Sequence, residues 1–551
     1  MRRLLAAAIV CLISAFVVEP FLMESVFADT PKLDGLTIKQ IRINNQNVFS
    51  LSDDRENGFF YQSANFLHIR TRNHIIKAQL LFKEGDTYLT RLANESERIL
   101  RANNYIREAT ITADEEDGEV VINITTFDTW STKPTVSFGR VGGKNKTEIG
   151  LEEANLLGLG VNLGLSYRKD FDRTSTTVQL VDKQLFNSWY RLAVTYSDTS
   201  DGFLNDVSVD KPFYSLDATT SQGFSVRREK KTDSLYFKGQ KYLMLDKEDE
   251  ELDVYTGWSN GLSEGSLIRH SVGLHSLKQR ATSAIEQPII IDEQVSAYLN
   301  NLDTDIIRDE IYPYYAFDFL QDRFDKTINQ DKIARTEDRY IGSKYGFKVG
   351  FVNDIFGAND NFLKLEGYLG KHLQLSKDVF VSTGASVDFE LPNSGTAARN
   401  LMVEYYLKTY INQSGAFKFY ADFIGNQSQD LRLDRQLFMG EQAGFRGYPL
   451  RYLSGDRFHK LTLEQRYFSD KDLWRLFNFG AAVFFDIGKI SGGSQFERSQ
   501  NGVYKSVGIG LRITSNRSSR GDIIHIDLSS PLNAKEDVGD LQFSIKTKTV
   551  F

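Results

Sequence analysis

One cysteine in 551 residues, Cys11, leaves no pair for a disulfide and no cysteine cluster for a metal. Histidine is scarce as well, and its 7 copies are scattered without ligand spacing. Proline numbers only 9, so little in the chain interrupts extended structure. Beyond the N-terminus no apolar run approaches the roughly 20 residues that a membrane-crossing helix needs. Positive charge is not in excess either: 73 acidic residues against 66 basic give a formal charge of −7, and no basic run is interleaved with aromatics. A nucleic-acid partner is therefore not expected. The Gly-rich stretch Gly139–Lys144 lacks phosphate-loop spacing, and Asn145 follows its lysine. No Ser-His-Asp set stands out, so neither an enzyme nor a cofactor is expected.

What the chain does have is aromatic and alternating. Phe (39) and Tyr (25) bring the aromatic share to 12%, beside 41 Gly. That composition suits long strands with aromatic girdles at a membrane interface. Residues 1–28 read as an export signal. Arg2 and Arg3 give a charged start, Leu4 to Val18 an apolar core, and Val26-Phe27-Ala28 a small-residue cleavage site.

Residues 33–131 read as a small α+β unit. Leu36 to Ile43 alternates as a strand. Asn73 to Phe82 and Thr90 to Asn103 carry apolar residues at helical spacing. Two strands follow, Glu108 to Ala113 and Glu119 to Phe127, joined at the acidic turn Asp114–Gly118. The order is β-α-α-β-β, with an insert from about Leu51 to His68.

From Lys133 to Phe551 the period is two. Val161, Leu163, Leu165 and Tyr167 share a face; so do Phe417, Phe419, Ala421 and Phe423, and Val507, Ile509, Leu511 and Ile513. A wall that meets lipid on one side and water on the other imposes this pattern. An open sheet edge in lipid would leave backbone groups unpaired, so such a wall must close. Spanning strands of roughly 9–11 residues, with loops of similar size, make about sixteen. The expected fold is mainly β: a transmembrane antiparallel barrel of about 16 strands over residues 133–551, preceded by the small α+β domain. The polar stretch Thr282 to Glu310 is expected to be a surface loop.

Two short motifs stand near the C-terminal end. Gly444-Phe445-Arg446-Gly447-Tyr448 carries an arginine between glycines and aromatics, and Phe485-Asp486-Ile487-Gly488 follows about forty residues on. By parity Asp486 faces the lumen, as Phe485 and Ile487 face lipid. Glu464 and Arg466 likewise face in, opposite Leu461 and Leu463, while Gln465 sits awkwardly on the lipid face. A guanidinium fork suits two carboxylates in a partly dry lumen, and glycines let backbone pass close to a wall.

These motifs resemble those of the Omp85 superfamily, nearest its BamA/TamA-like branch of the surface antigen D15 type. Phe82-Lys83-Glu84-Gly85-Asp86, Glu95–Arg101 and Asn104-Tyr105-Ile106 resemble a POTRA domain, of which one fits before the barrel. The resemblance implies that the loop after the eleventh strand enters the barrel and that Arg446 meets Glu464 and Asp486. It implies a bacterial outer-membrane location with the POTRA domain in the periplasm. It also implies help with inserting or translocating proteins, or lipids. Implied partners are unfolded outer-membrane or secreted clients, accessory periplasmic proteins, membrane lipids and lipopolysaccharide. The final strand, with Leu541, Phe543, Ile545, Thr547, Thr549 and Phe551 on one face, resembles a barrel-insertion signal. Its polar Thr547 and Thr549 are expected to weaken the seam between first and last strands. The competing expectations are a two-partner-secretion pore for one dedicated client and a passive structural barrel.

Overall fold

The computed structural model describes residues 33–141, 143–237, 240–283, 305–393, 395, 397–413, 415–492, 502–534 and 538–551. The expected export signal, residues 1–28, lies outside them. No helix among the described residues is long and apolar enough to cross a membrane.

The N-terminal unit is a three-stranded sheet with helices on one side. Its strands are β1 (Ile38–Gln46), β2 (Ile106–Glu116) and β3 (Glu119–Asp128), in the spatial order β1-β3-β2. β3 is central, parallel to β1 and antiparallel to β2. Asp117 and Gly118 turn β2 into β3 with φ of 58° and 80°, the left-handed pair that a tight hairpin demands. The core gathers Ile38, Ile76, Leu100, Ile106, Val120, Ile122 and Ile124, each almost fully buried.

The element order differs from the expected one. Three helices separate β1 from β2: α1 (Phe59–Leu67), α2 (Asn73–Lys77) and α3 (Thr90–Arg101). α1 occupies the insert. α2 stops at Lys77 instead of reaching Phe82, because the chain turns there to bury Leu80 and Phe82 in the same core.

The rest is dominated by one closed antiparallel barrel, and among the described residues it has 20 strands, not about sixteen. The count ran low because the first six strands are short and tightly connected, all lying between Thr132 and Lys211. Later strands are longer: Thr220–Phe237, Gln240–Ser259 and Ser266–Ser283 reach 18, 20 and 18 residues. The stretch expected as a surface loop is partly strand. Ser266–Ser283 and Ile306–Gln321 enter it from both sides, and residues 284–304 between them are outside the described set.

Alternation sets the two faces. Val136, Ile149, Leu165, Tyr167, Val483, Ile509 and Leu511 point outward and are exposed. Lys460, Thr462, Glu464, Arg466, Asp486, Arg512 and Asp527 point inward and are buried. Apolar outside with charge inside is the arrangement of a lipid-embedded barrel and the inverse of a soluble one.

The wall closes at an uneven joint. The first strand, Thr132–Val141, meets the last, Gln542–Lys548, at one register pair, Ile545 with Arg140. Every other neighbouring pair of barrel strands shares a longer ladder; even the last strand pairs with Ile523–Pro531 from Ser529–Gln542 through Ile523–Lys548. Of the two polar residues expected to weaken this joint, Thr547 pairs with Ile524 on the strand's other edge, and Thr549 lies beyond the strand.

Candidate functional site: a lumen bridged from both ends

Between strands Phe417–Gln429 and Arg457–Leu473 the chain leaves the wall and crosses the lumen. This loop follows the fifteenth barrel strand, not the eleventh; five strands follow it, so the four additional strands all precede it.

Arg446 is the buried end of the crossing. Its Nε and one terminal nitrogen donate to the two oxygens of Asp486 at 2.7 and 2.8 Å, and the other donates to Glu464 Oε1 at 2.7 Å. Its guanidinium lies 3.5 Å from the centroid of Phe484. Arg446 is 6% exposed, Glu464 6% and Asp486 0%, so Asp486 relies on this cation from the loop, while Glu464 shares it with Arg466 of its own strand. Thr462 adds a hydroxyl donor to Asp486 at 2.8 Å.

The flanking motif residues serve the fit. Phe445 and Tyr448 stack at 4.9 Å and are fully buried. Gly488 faces them from the wall, and a Cβ there would sit 2.7 Å from the Phe445 ring and 3.0 Å from the Met439 sulfur. The glycine is a seat for the aromatic. Gly444 and Gly447 have φ of 74° and 85°, and Gly447 runs against Ser506 and Pro531. The Tyr448 hydroxyl donates to the Lys505 carbonyl at 3.1 Å. Phe485 faces outward by parity and touches none of this. Gln465, also outward, donates to Gln413 at 2.7 Å, which satisfies the amide.

Sequence reasoning located this attachment of the loop and missed the others. Arg432 reaches Glu310 and Glu390, Asp434 accepts from Lys247 at 2.9 Å, and Arg435 donates to Asp388 at 3.0 Å. These partners belong to wall strands, and Lys247, Asp388 and Glu390 border a cavity of about 770 Å³. Arg451 makes a two-pronged contact with Asp172 at 2.8 and 2.9 Å, with Tyr236 4.3 Å below its guanidinium. Glu441 pairs with Lys546 of the last strand at 2.7 Å. The loop is therefore a strut held at several points.

A second insertion enters from the opposite mouth. Strands Phe324–Ile328 and Thr336–Tyr340 pair as a hairpin outside the wall sheet. Its tip meets the lumen: Ile333 packs with Phe468, Ala482, Ile523 and Phe551, and Asp331 accepts from Tyr410 at 3.2 Å. Its other side meets the N-terminal unit, where Arg101 grips Asp338, Lys326 pairs with Glu97, and Thr336 donates to Glu108 at 2.7 Å. Glu97 is held below the usual carboxylate range: burial opposes this, and hydrogen bonds from Lys326 and Arg101 more than offset it.

The two insertions meet through a pair of wall residues, Glu464 and Arg466. Glu464 Oε1 accepts from Arg446, while Oε2 accepts from Arg466 Nε at 2.8 Å, and Arg466 donates onward to the Gln330 carbonyl of the hairpin at 3.2 Å.

Phe543 and Ile545 lie on the outward face of the last strand, as expected. Phe551 does not. The strand ends at Lys548, and Phe551 turns inward, 5% exposed, with its ring 4.7 Å from Phe468 and near the guanidiniums of Arg466 and Arg512. Its amide donates to the Asp331 carbonyl at 2.7 Å. Cationic stacking and the hairpin outcompete the lipid face for this ring.

No protein-family profile matches the chain, and no curated protein matches it. Solved structures do. CdiB from Escherichia coli aligns at 11% identity over 94% of this chain and 76% of that one, with a TM-score of 0.46. BamA from Haemophilus ducreyi lacking POTRA domains 1–3 aligns at 13% over 93% and 85%, with a TM-score of 0.37. The FrpB iron transporter from Neisseria meningitidis aligns at 7% over 93% and 86%, with a TM-score of 0.38. Barrels named for different work match at comparable scores, so it is the geometry of this chain's own lumen that speaks to function.

Proposed function

We propose that the chain is an outer-membrane protein of the Omp85 type that assists insertion or translocation of proteins, its N-terminal unit being a single periplasmic POTRA domain. The observation that carries this reading is the inward loop locked by Arg446 on Asp486 and Glu464. No covalent chemistry is proposed. The working parts are strand edges. β2 lies at the edge of its sheet, and an extended client segment can add to such an edge through backbone hydrogen bonds. At the barrel seam one register pair stands between closed wall and open edges, so a client strand could be templated there.

The partners proposed are unfolded outer-membrane or secreted clients, accessory periplasmic proteins, and the surrounding lipids and lipopolysaccharide. A second reading, a pore exporting one dedicated client, is favoured by the insertions at both mouths, which would have to move to open a conduit.

Proteomic and lipid analysis of outer membranes after depletion tests both. Loss of several barrel proteins supports the first reading. Loss of a single exported protein with an intact membrane supports the second. An unchanged profile overturns both and leaves a passive barrel.

A further inference from the structure

The insert that interrupts the N-terminal unit contains a helix with an inverted surface. α1 reads Phe-Phe-Tyr-Gln-Ser-Ala-Asn-Phe-Leu and carries no charge. Its inner face is Tyr61, Ala64 and Asn65, continued by His68: Ala64 packs with Val48 and Phe49, Asn65 caps the Phe49 backbone, and His68 meets Asp128. Its outer face should be polar if it met water. It holds Phe59, Phe60, Phe66 and Leu67 instead, exposed by 86, 59, 89 and 70%. Four large apolar side chains on nine residues form a contiguous patch that a protein surface keeps only for a partner or a membrane.

Position identifies the occupant. The N-terminal unit reaches from the lumenal hairpin, where Arg101 holds Asp338, to the rim of the wall, where the Tyr61 hydroxyl donates to the Trp474 carbonyl at 3.1 Å. Trp474 lies in the turn between two spanning strands and is itself 67% exposed, flanked by outward Leu473 and Phe477. Leu476 of the same turn packs under α1, and Arg517 of a neighbouring turn pairs with Glu56 just ahead of it. The patch is thus continuous with the apolar belt of the barrel at the level where an aromatic girdle meets headgroups. Two further turns at this end show exposed apolar tips, Leu157 and Phe186, at 53 and 91%.

We propose that α1 is an interfacial helix: it lies in the periplasmic leaflet of the membrane holding the barrel and fixes the N-terminal unit against the rim. The proposal rests on the membrane reading of the barrel. A short helix this apolar is marginal alone in water. Here the domain supplies its inner face and lipid covers its outer one.

The test uses the full-length chain in phosphatidylcholine vesicles with a fluorophore on a single cysteine, after Cys11→Ser where the N-terminal segment is retained. Phe66→Cys is compared with Val483→Cys on the outer wall and Lys39→Cys on the N-terminal sheet. The expected result is strong quenching of the Phe66 and Val483 sites by nitroxide lipids and weak quenching by aqueous iodide, with the reverse at Lys39. Quenching of Phe66 by iodide as freely as Lys39, while Val483 still reports lipid, overturns the helix proposal alone. A Val483 site that sees water overturns the barrel reading beneath it. Protection of Phe66 that vanishes on tenfold dilution of protein in lipid assigns the patch to a second copy and also overturns the proposal.

Discussion

Two stretches of the same wall close by opposite means. Around strands Arg457–Leu473 and Phe477–Ser491 the ladder is long, and the lumen face carries buried charges that pair with one another and with the loop. At the seam between Thr132–Val141 and Gln542–Lys548 the ladder is one pair, and closure is delegated to straps beside it. Trp130 exchanges backbone hydrogen bonds with Arg517 and Ser519 at 2.6 and 3.1 Å, bypassing the last strand. Lys133 pairs with Asp522, and Lys546 with Glu441 of the lumenal loop. The first region is held by burial and charge, and would be costly to open. The second is held by contacts at its ends, so it can part without unpairing a whole ladder.

The largest effect should come from breaking the first region. Arg446→Ala leaves Asp486 buried without its ion-pair partner and Glu464 with Arg466 alone, which should cost about 3–5 kcal/mol, read as an earlier midpoint in urea unfolding of the folded barrel. Arg446→Lys should recover only part of this, because an ammonium cannot fork across Asp486. Fixing the seam should act differently. A disulfide between Arg140→Cys and Ile545→Cys, the paired positions, should leave the folded barrel intact on heat-modifiability gels while abolishing client insertion. Unchanged activity in the locked form would sink the seam as a working part. The strut predicts an intermediate effect: Arg451→Ala removes the contact with Asp172 and should cost about 1–2 kcal/mol while leaving the Arg446 lock in place. The N-terminal unit should respond to acid. Glu97 has a lowered folded-state pKa, so its pairs contribute fully above its ordinary value of 4.5, and the contribution is lost as pH falls through the depressed value. Hydrogen exchange of the hairpin 324–340 should therefore accelerate as pH falls below 4.5 and respond less in Glu97→Gln. The smallest effect belongs to Thr547→Val, which should change stability by no more than about 0.5 kcal/mol, since that residue is already paired.

The contrast also explains what could be read in advance. Asp486, Glu464 and Arg466 were found because a strand turns sequence parity into side-chain direction. Gly444-Phe445-Arg446-Gly447-Tyr448 was found through its resemblance to a family's inward-loop motif, since an arginine beside glycines taken alone reads as an exposed turn. Arg451 and Asp172 are 279 residues apart and Arg432 and Glu310 122, with nothing local to mark them. Such partners are chosen by the curvature of a closed wall. The strand count failed for a related reason: connections as short as Ser200-Asp201, between Arg191–Thr199 and Gly202–Lys211, let short strands follow one another without the loops that were allowed for. The inward Phe551 was misplaced because parity stops at the end of a strand.

The strut has a mechanical consequence. Its Arg446 end is fixed to two strands, the nearer three before the last, and its Arg451 end to the turn after the third, so it spans the seam from both sides. It thus works as a spoke across a hoop with one weak joint. Widening the hoop there stretches the spoke, so the force needed to part the joint is set by whichever guanidinium lets go first. Whatever loosens the weaker grip would loosen the rim without ever touching it.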